Sequence, residues 1–410
     1  MEIRPIFSAL MRSKVALVLI GLQIALTLAI VCNALFIINQ RIDKMGRPSG
    51  MNEADTFMVS SLGFGANYDV KTAMDEDVAL IRSLPGVAAA APILTAPMTG
   101  SGWSQGINLN TTQKNSDVGV ALYFVDEHGI DTYGVKLVAG RNFTASEIEY
   151  REPRSNGWPP VTLLTRTLAE RLWPGENPLG KQFYFDQEKP PITVIGIIER
   201  MVMPWPNITG RGGDTNTFEY SMLVPQKLPY GTLSRYLVRA EPGRVSEVMK
   251  TVEAKLAESN KSRIVRDARP MTKVRAEIYQ NDRAMLIVLV AVILALLTIT
   301  ALGIVGMASF WVTQRTKQIG TRRALGATRG NILRYFMTEN LVITTIGLVV
   351  GAVLTYGVNL WLVQAYAAQR LPVIYLVCGM LALWLIGQLA VFGPATRAAR
   401  VPPAVATRSV

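Results

Sequence analysis

Cysteine and histidine are scarce in this 410-residue chain, which has 2 of the first and 1 of the second. Cys32 and Cys378 both fall inside apolar runs, so the long polar region over 39–283 contains no cysteine. That region can be exported without disulfides and has no thiolate for catalysis or metal binding. His128 is the one imidazole in the chain, so a zinc site of the usual His and Cys type has almost no ligands to draw on. An excess of one charge is missing there as well: 39–283 holds 29 Lys and Arg against 28 Asp and Glu, a net of +1. Nucleic-acid-binding domains concentrate basic residues on their own soluble surface, so no nucleic acid is expected as a partner.

Charge is also what the apolar runs lack. Segments 15–38, 284–312, 341–363 and 373–392 contain no Lys, Arg or Asp, and Glu339 stands just outside the third. A helix rising 1.5 Å per residue needs about 20 such residues to cross a hydrocarbon core of about 30 Å, so each run is long enough. No ion or hydrophilic substrate route is encoded among these crossings of one chain. The first run resembles neither a signal peptide with a clean cleavage site nor a lipoprotein signal, because bulky Val31 precedes Cys32. It is read as an anchor.

The formal charge of +12 lies almost wholly beside these runs. Arg315, Lys317, Arg322, Arg323, Arg329 and Arg334 precede the first acid of their connector, Glu339, and the tail carries Arg397, Arg400 and Arg408. The connector 364–372 has only Arg370. Basic connectors stay cytoplasmic, which gives four crossings with both termini inside and the 39–283 region outside. Residues 1–14 space Ile3, Ile6, Phe7, Leu10 and Met11 on one helical face, with Arg4, Arg12 and Lys14 for headgroups, the pattern of an interfacial amphipathic helix.

The expected fold is an α-helical membrane protein with four transmembrane helices plus a large α+β extracytoplasmic domain of two subdomains. Strand, helix and strand are expected over 56–62, 75–84 and from Val87, and again over 234–240, 244–259 and 262–267. The two units are expected to pair in one subdomain, with an insert of about 105–230 forming a second. Within the insert, 161–173 reads as a strand running into a short helix, broken by Pro174-Gly175, and 192–198 as a buried strand.

The basic connector 313–340 has the punctuation of folded structure. Gly326 can end one short helix and Thr328 can cap the next, while Ile319, Leu325, Ile332, Leu333 and Phe336 offer apolar contacts. Glu339 fits two readings, an interfacial acid near a positive helix end and an anchor fixing the connector to the helix. Gly347 and Gly351 fit close helix packing or ordinary glycine enrichment.

Other motifs have duller readings. Gly175-Glu-Asn-Pro-Leu-Gly-Lys181 has the spacing of a phosphate loop, but Gln182 replaces the Ser or Thr needed for magnesium. It reads as a turn before a strand. Gly102-Trp-Ser-Gln-Gly106 matches a nucleophile elbow, with His128 the one base and no long strand feeding it, and reads as a Gly/Ser-rich loop. Asn110, Asn142 and Asn207 open glycosylation acceptors, a signal that recurs by chance and means little if the cell is bacterial.

Arg315-Thr-Lys-Gln-Ile-Gly-Thr-Arg-Arg-Ala-Leu-Gly-Ala-Thr328, with Glu339 after it, resembles the cytoplasmic signature of MacB/FtsX-type ABC transporter permeases. Pro394-Ala-Thr-Arg-Ala-Ala-Arg-Val-Pro402 resembles their C-terminal motif, and 168–181 a segment of their MacB-type outer domain. Gln318 stands where that family usually has Glu. The resemblance implies a permease without enzymatic activity of its own, carrying no cofactor and no metal. ATP and Mg would be bound by a separate ABC ATPase in two copies, with ATPase coupling by Arg315, Lys317, Gln318, Ile319, Gly320, Arg322, Arg323, Leu325, Gly326 and Glu339. The further partners implied are the lipid bilayer of the bacterial inner membrane and a second permease subunit, as homo- or heterodimer. A periplasmic adaptor and a TolC-like outer-membrane duct are candidates beyond these. Alternatives are an FtsX-type permease that extracts lipoproteins or regulates cell-wall hydrolases, and a membrane-anchored sensor or scaffold.

Overall fold

A computed structural model describes residues 14–112, 116, 118–152, 157–185, 190–206, 217–366 and 369–402. The interfacial helix expected over 1–14 lies outside these residues except for Lys14, as do the acceptor at Asn207 and the end of the tail with Arg408. The chain divides into two compact units, one formed by the segments up to Gly46 and from Asn281, the other by Arg47–Gln280.

In chain order the helices are α1 (Lys14–Gly46), α2 (Val70–Ser83), α3 (Gly129–Tyr133), α4 (Arg166–Leu172), α5 (Val245–Ser259) and α6 (Met271–Ile278). They continue as α7 (Gln280–Gln314), α8 (Thr316–Ala324), α9 (Arg329–Tyr366) and α10 (Val373–Ala399). The strands are β1 (Thr56–Gly63), β2 (Val87–Ile93), β3 (Trp103–Ile107), β4 (Val118–Phe124), β5 (Leu137–Gly140), β6 (Glu149–Tyr150) and β7 (Val161–Thr165). After them come β8 (Gln182–Phe183), β9 (Ile192–Ile198), β10 (Ser221–Val224), β11 (Gln226–Lys227), β12 (Leu233–Ala240) and β13 (Arg263–Pro270).

The Arg47–Gln280 unit contains two main sheets. The first has the order β13-β1-β12-β2, all antiparallel, so the opening and closing β-α-β segments interleave their strands. Strand alternation sends Phe57, Val59, Tyr236 and Val238 to one face, where they pack against Met74, Val78 and Ile81 of α2 and Val248, Val252 and Leu256 of α5. Those helical residues recur every three or four positions, the spacing of one helix face. Helix α2 begins five residues before the expected 75, because the Asp69 carboxylate accepts from the Lys71 N–H at 3.1 Å and caps it there. The second sheet runs β3-β4-β10-β7-β9-β5 with β8 on β9, a mixed sheet with its own apolar cluster.

Two sequence motifs are settled by this topology. The 175–181 segment leads into a strand, β8, and Lys181 pairs with Glu176; a phosphate loop would open a helix. The 102–106 segment is not the expected loop. Trp103–Ile107 is an edge strand in register with β4, Ser104 facing Ala121. Its local composition favours turns, and only the partner strand recruits it into the sheet.

The other unit is helical. Among the described residues four helices are long and apolar enough to cross a membrane: Leu17–Gly46, Gln280–Gln314, Arg329–Ala365 and Val373–Ala399. The second and third extend past their uncharged runs at both ends, and the first and last at the C-terminal end, because helical hydrogen bonding does not depend on the side chains being apolar. Ile24, Leu28 and Cys32 of α1 lie in the middle of the bundle core. Polar side chains join the helices: Thr27 and Thr300 share a hydroxyl hydrogen bond of 2.8 Å, Gln23 Nε2 donates to Ile299 O at 3.0 Å, and Asn340 Nδ2 to Gly387 O at 3.0 Å.

Gly347 and Gly351 lie on the face of α9 that meets α1. A Cβ at Gly347 would come within 3.0 Å of Gly21 O, and one at Gly351 within 2.9 Å of the Ala25 Cα. Gly351→Val should therefore force the two backbones apart and cost about 1–3 kcal/mol, read as a lower Tm by scanning fluorimetry. Gly357→Val, where a Cβ meets nothing within 4 Å, is the control; equal losses for the two variants would mean that close packing is not what the glycines serve.

Candidate coupling site

The segment between α7 and α9 is built as a short helical hook. Helix α7 ends at Gln314, and Arg315, with φ −100° and ψ 13°, bends the chain before α8 begins at Thr316. Helix α8 closes at Leu325 with the hydrogen bonds of a Schellman motif: the Gly326 N–H donates to Arg323 O at 3.2 Å and the Ala327 N–H to Arg322 O at 3.0 Å. Gly326 has φ +94° with open space around it, so backbone conformation requires the glycine there. The Thr328 Oγ1 then accepts from the Asn331 N–H at 3.2 Å and caps α9.

One face of α8 is packed. Ile319 is buried against Ile332 and Phe336 of α9 and against Ala395, Ala398 and Ala399 of α10. The Arg323 Nη1 donates to Ala399 O at 3.1 Å, tying α8 to the end of α10. The two motifs quoted from the connector and the tail thus form one cluster.

Beneath it lies an ion pair. The Arg315 Nη1 donates to both Glu339 oxygens, at 2.8 and 3.0 Å, and the Glu339 side chain is 1% exposed. Glu339 lies roughly three turns into α9, beyond the reach of a helix-end dipole, and its pair with Arg315 ties the start of the connector to that helix. Arg315 also stands over the Trp311 ring at 5.9 Å.

The opposite face of α8 is open. Lys317, Gln318, Arg322 and Leu325 are exposed, Arg322 lying over the Tyr335 ring at 4.8 Å. Leu325 corrects an expectation: instead of supplying an internal contact it is 83% exposed. As the C-cap residue beside Gly326 it falls off the packed face. The structure therefore gathers Arg315, Ile319, Gly320, Arg323 and Glu339 inward and leaves Lys317, Gln318, Arg322, Leu325 and Gly326 outward. Gly347 and Gly351 stand apart, two and three turns farther along α9. The alanines of α10 were not among the sequence candidates; their signal was the small-residue spacing Ala395, Ala398, Ala399 in the tail motif.

Comparison with known families places both halves of the chain. The family described as MacB-like periplasmic core domain matches residues 16–262, and the FtsX-like permease C-terminal family matches 286–403. The chain is 27% identical over 322 residues to the macrolide export ATP-binding/permease protein MacB of Neisseria gonorrhoeae, covering 76% of this chain and 45% of that protein. It is 25% identical over 360 residues to the probable syringafactin export ATP-binding/permease protein SyfD of Pseudomonas syringae pv. tomato, covering 86% and 50%. The chain spans about half the length of the curated relatives it matches. Among solved structures, the periplasmic region of MacB from Actinobacillus actinomycetemcomitans aligns with 58% of this chain and 97% of that one, at 17% identity and a TM-score of 0.35.

Proposed function

Because the chain belongs to the family of permeases with a MacB-like periplasmic core domain and an FtsX-like C-terminal region, we propose that it is the permease subunit of a MacB-like ABC transporter. In this reading four helices cross the bacterial inner membrane with both termini inside, and the two sheets of the outer unit form two periplasmic subdomains. A partner ATPase in two copies binds ATP and magnesium, and its motion enters through α8 and is passed to the periplasmic domain to export a substrate from the periplasm. Two permease subunits complete the assembly, with an adaptor and an outer-membrane duct as candidates beyond it.

The observation that carries the coupling role is a division of labour within α8. Ile319 and Arg323 hold the helix to α9 and α10, while Leu325 is left exposed at 83% on a short, rigidly capped hook. An exposed leucine beside exposed Lys317, Gln318 and Arg322 has the apolar centre and polar rim of a docking spot.

Leu325→Glu gives the clean test, because no internal contact is lost. Retention of the ATPase in copurification should fall at least tenfold, with the Tm of the permease unchanged. Ile319→Glu should lower the Tm itself. Full ATPase retention by a folded Leu325→Glu protein would remove α8 from the coupling path.

A further inference from the structure

The Arg47–Gln280 unit carries a cleft of about 460 Å³ that the coupling reading leaves without a use. Small-molecule sites span roughly 300–1,000 Å³. Leu94, Trp103, Leu228, Pro229 and Tyr230 form its apolar lining, and Arg235 is the one charged lining residue among the described residues. Gly102 and Gly231 also border it without a side chain to fill it. Gly231 holds φ +62° in a turn closed by reciprocal backbone hydrogen bonds of 3.0 Å between Tyr230 and Leu233, and that turn leaves Tyr230 74% exposed.

No described carboxylate pairs directly with the charge in the cleft, and Asp267 acts on it only from a distance. Arg235 Nη1 donates to Leu94 O at 2.9 Å, and among the described residues no carboxylate forms a salt bridge with the guanidinium. Ser60 pairs with both Arg235 and Arg266, which puts the two arginines in one row across the first sheet, with Arg269 further along β13. The acids nearby are engaged: Asp267 by Arg266 at 3.6 Å and Glu277 by Arg269 at 3.2 Å. Burial pulls the Arg235 guanidinium below its ordinary value, Asp267 raises it, and Arg269 and Arg266 lower it. A half-buried cation among other cations gains from an anion that carries its own apolar cover.

We propose that this cleft binds an amphipathic organic anion, an apolar ring system bearing one carboxylate or sulfonate, with the ring between Trp103 and Tyr230 and the acid on Arg235. The inference concerns the outer unit alone and stands whether or not α8 docks an ATPase.

The test uses the full chain in phosphatidylcholine nanodiscs, titrated with 2-naphthoate and followed by saturation-transfer NMR and calorimetry. One naphthoate should bind per chain with a Kd below about 1 mM. Arg235→Gln should weaken binding at least tenfold, Tyr230→Ala at least threefold, and 2-naphthylmethylammonium should bind the wild type at least tenfold more weakly. Tyr230 is exposed enough that its loss leaves the fold intact, so the test survives a poorly folding Arg235 variant. Absence of saturable binding overturns the proposal, as does naphthoate binding that both variants leave unchanged or an equal affinity for the ammonium analogue. In nanodiscs containing phosphatidylglycerol the naphthoate affinity should hold; competitive loss there would assign the cleft to an anionic lipid and overturn the soluble ligand.

Discussion

Glu339→Ala is expected to uncouple the permease, with ATPase retention and ATP hydrolysis by the assembled complex each falling at least tenfold. The substitution leaves the Arg315 guanidinium, whose side chain is 16% exposed, without the carboxylate it grips through two hydrogen bonds. Breaking a buried pair from one side costs about 3–5 kcal/mol, because the surviving charge keeps its desolvation penalty and loses its compensation. Here the loss falls at the bend between α7 and α8, so the hook should swing off α9 and α10 while the rest of the bundle holds. Removing both charges, Arg315→Leu with Glu339→Leu, takes away the stranded charge. That double variant should be more stable than either single one. Glu339→Ala protein that keeps ATPase retention and hydrolysis within twofold of wild type would show that the pair plays no part in coupling.

Asp77→Ala is expected to be the most damaging single change in the outer unit. Asp77 is 2% exposed, accepts from the Tyr236 hydroxyl at 2.6 Å and pairs with the buried Arg263 guanidinium. Arg263 also donates through Nε to Leu256 O at 3.0 Å, so the charge sits where α5 returns to β13. Burial pushes the Asp77 carboxyl above its ordinary value, and the hydrogen bonds from Arg263 and Tyr236 pull it down. Alanine would strand Arg263 and cost about 3–5 kcal/mol. Hydrogen exchange should report it as protection lost by a hundredfold or more in α2 and β13, a factor of ten for each 1.4 kcal/mol. A triple change to Asp77→Leu, Arg263→Met and Tyr236→Phe should restore most of that protection. Unchanged protection in Asp77→Ala would mean that the pair is not coupled to the packing of this sheet.

How much of this was legible beforehand differs by element, and the differences have causes. The helical hook could be read locally, because Gly326 and Thr328 act through backbone conformation and a capping hydrogen bond within a few residues of themselves. The start of α2 is not legible in the sequence, since Asp69 is one of several polar residues ahead of Asp75 and only the hydrogen bond to Lys71 marks it as the cap. Strand β3 was hidden because an edge strand draws its order from one partner, and no pattern in 102–106 names β4.

By itself the sequence determined the layout: four uncharged runs, a basic connector, and a cysteine-free region between the first two runs. Each of these follows from composition summed over a segment, and composition survives without coordinates. The tertiary structure alone decided which side chains of the connector face inward. Ile319 and Leu325 are both apolar residues of one short helix, yet one is clamped by alanines from the far end of the chain and the other is open. It also decided that Glu339 meets Arg315, and that Trp103, Tyr230 and Arg235 line one cleft. Contacts between distant segments depend on how elements pack, and packing is a property of the folded whole that no local spacing records.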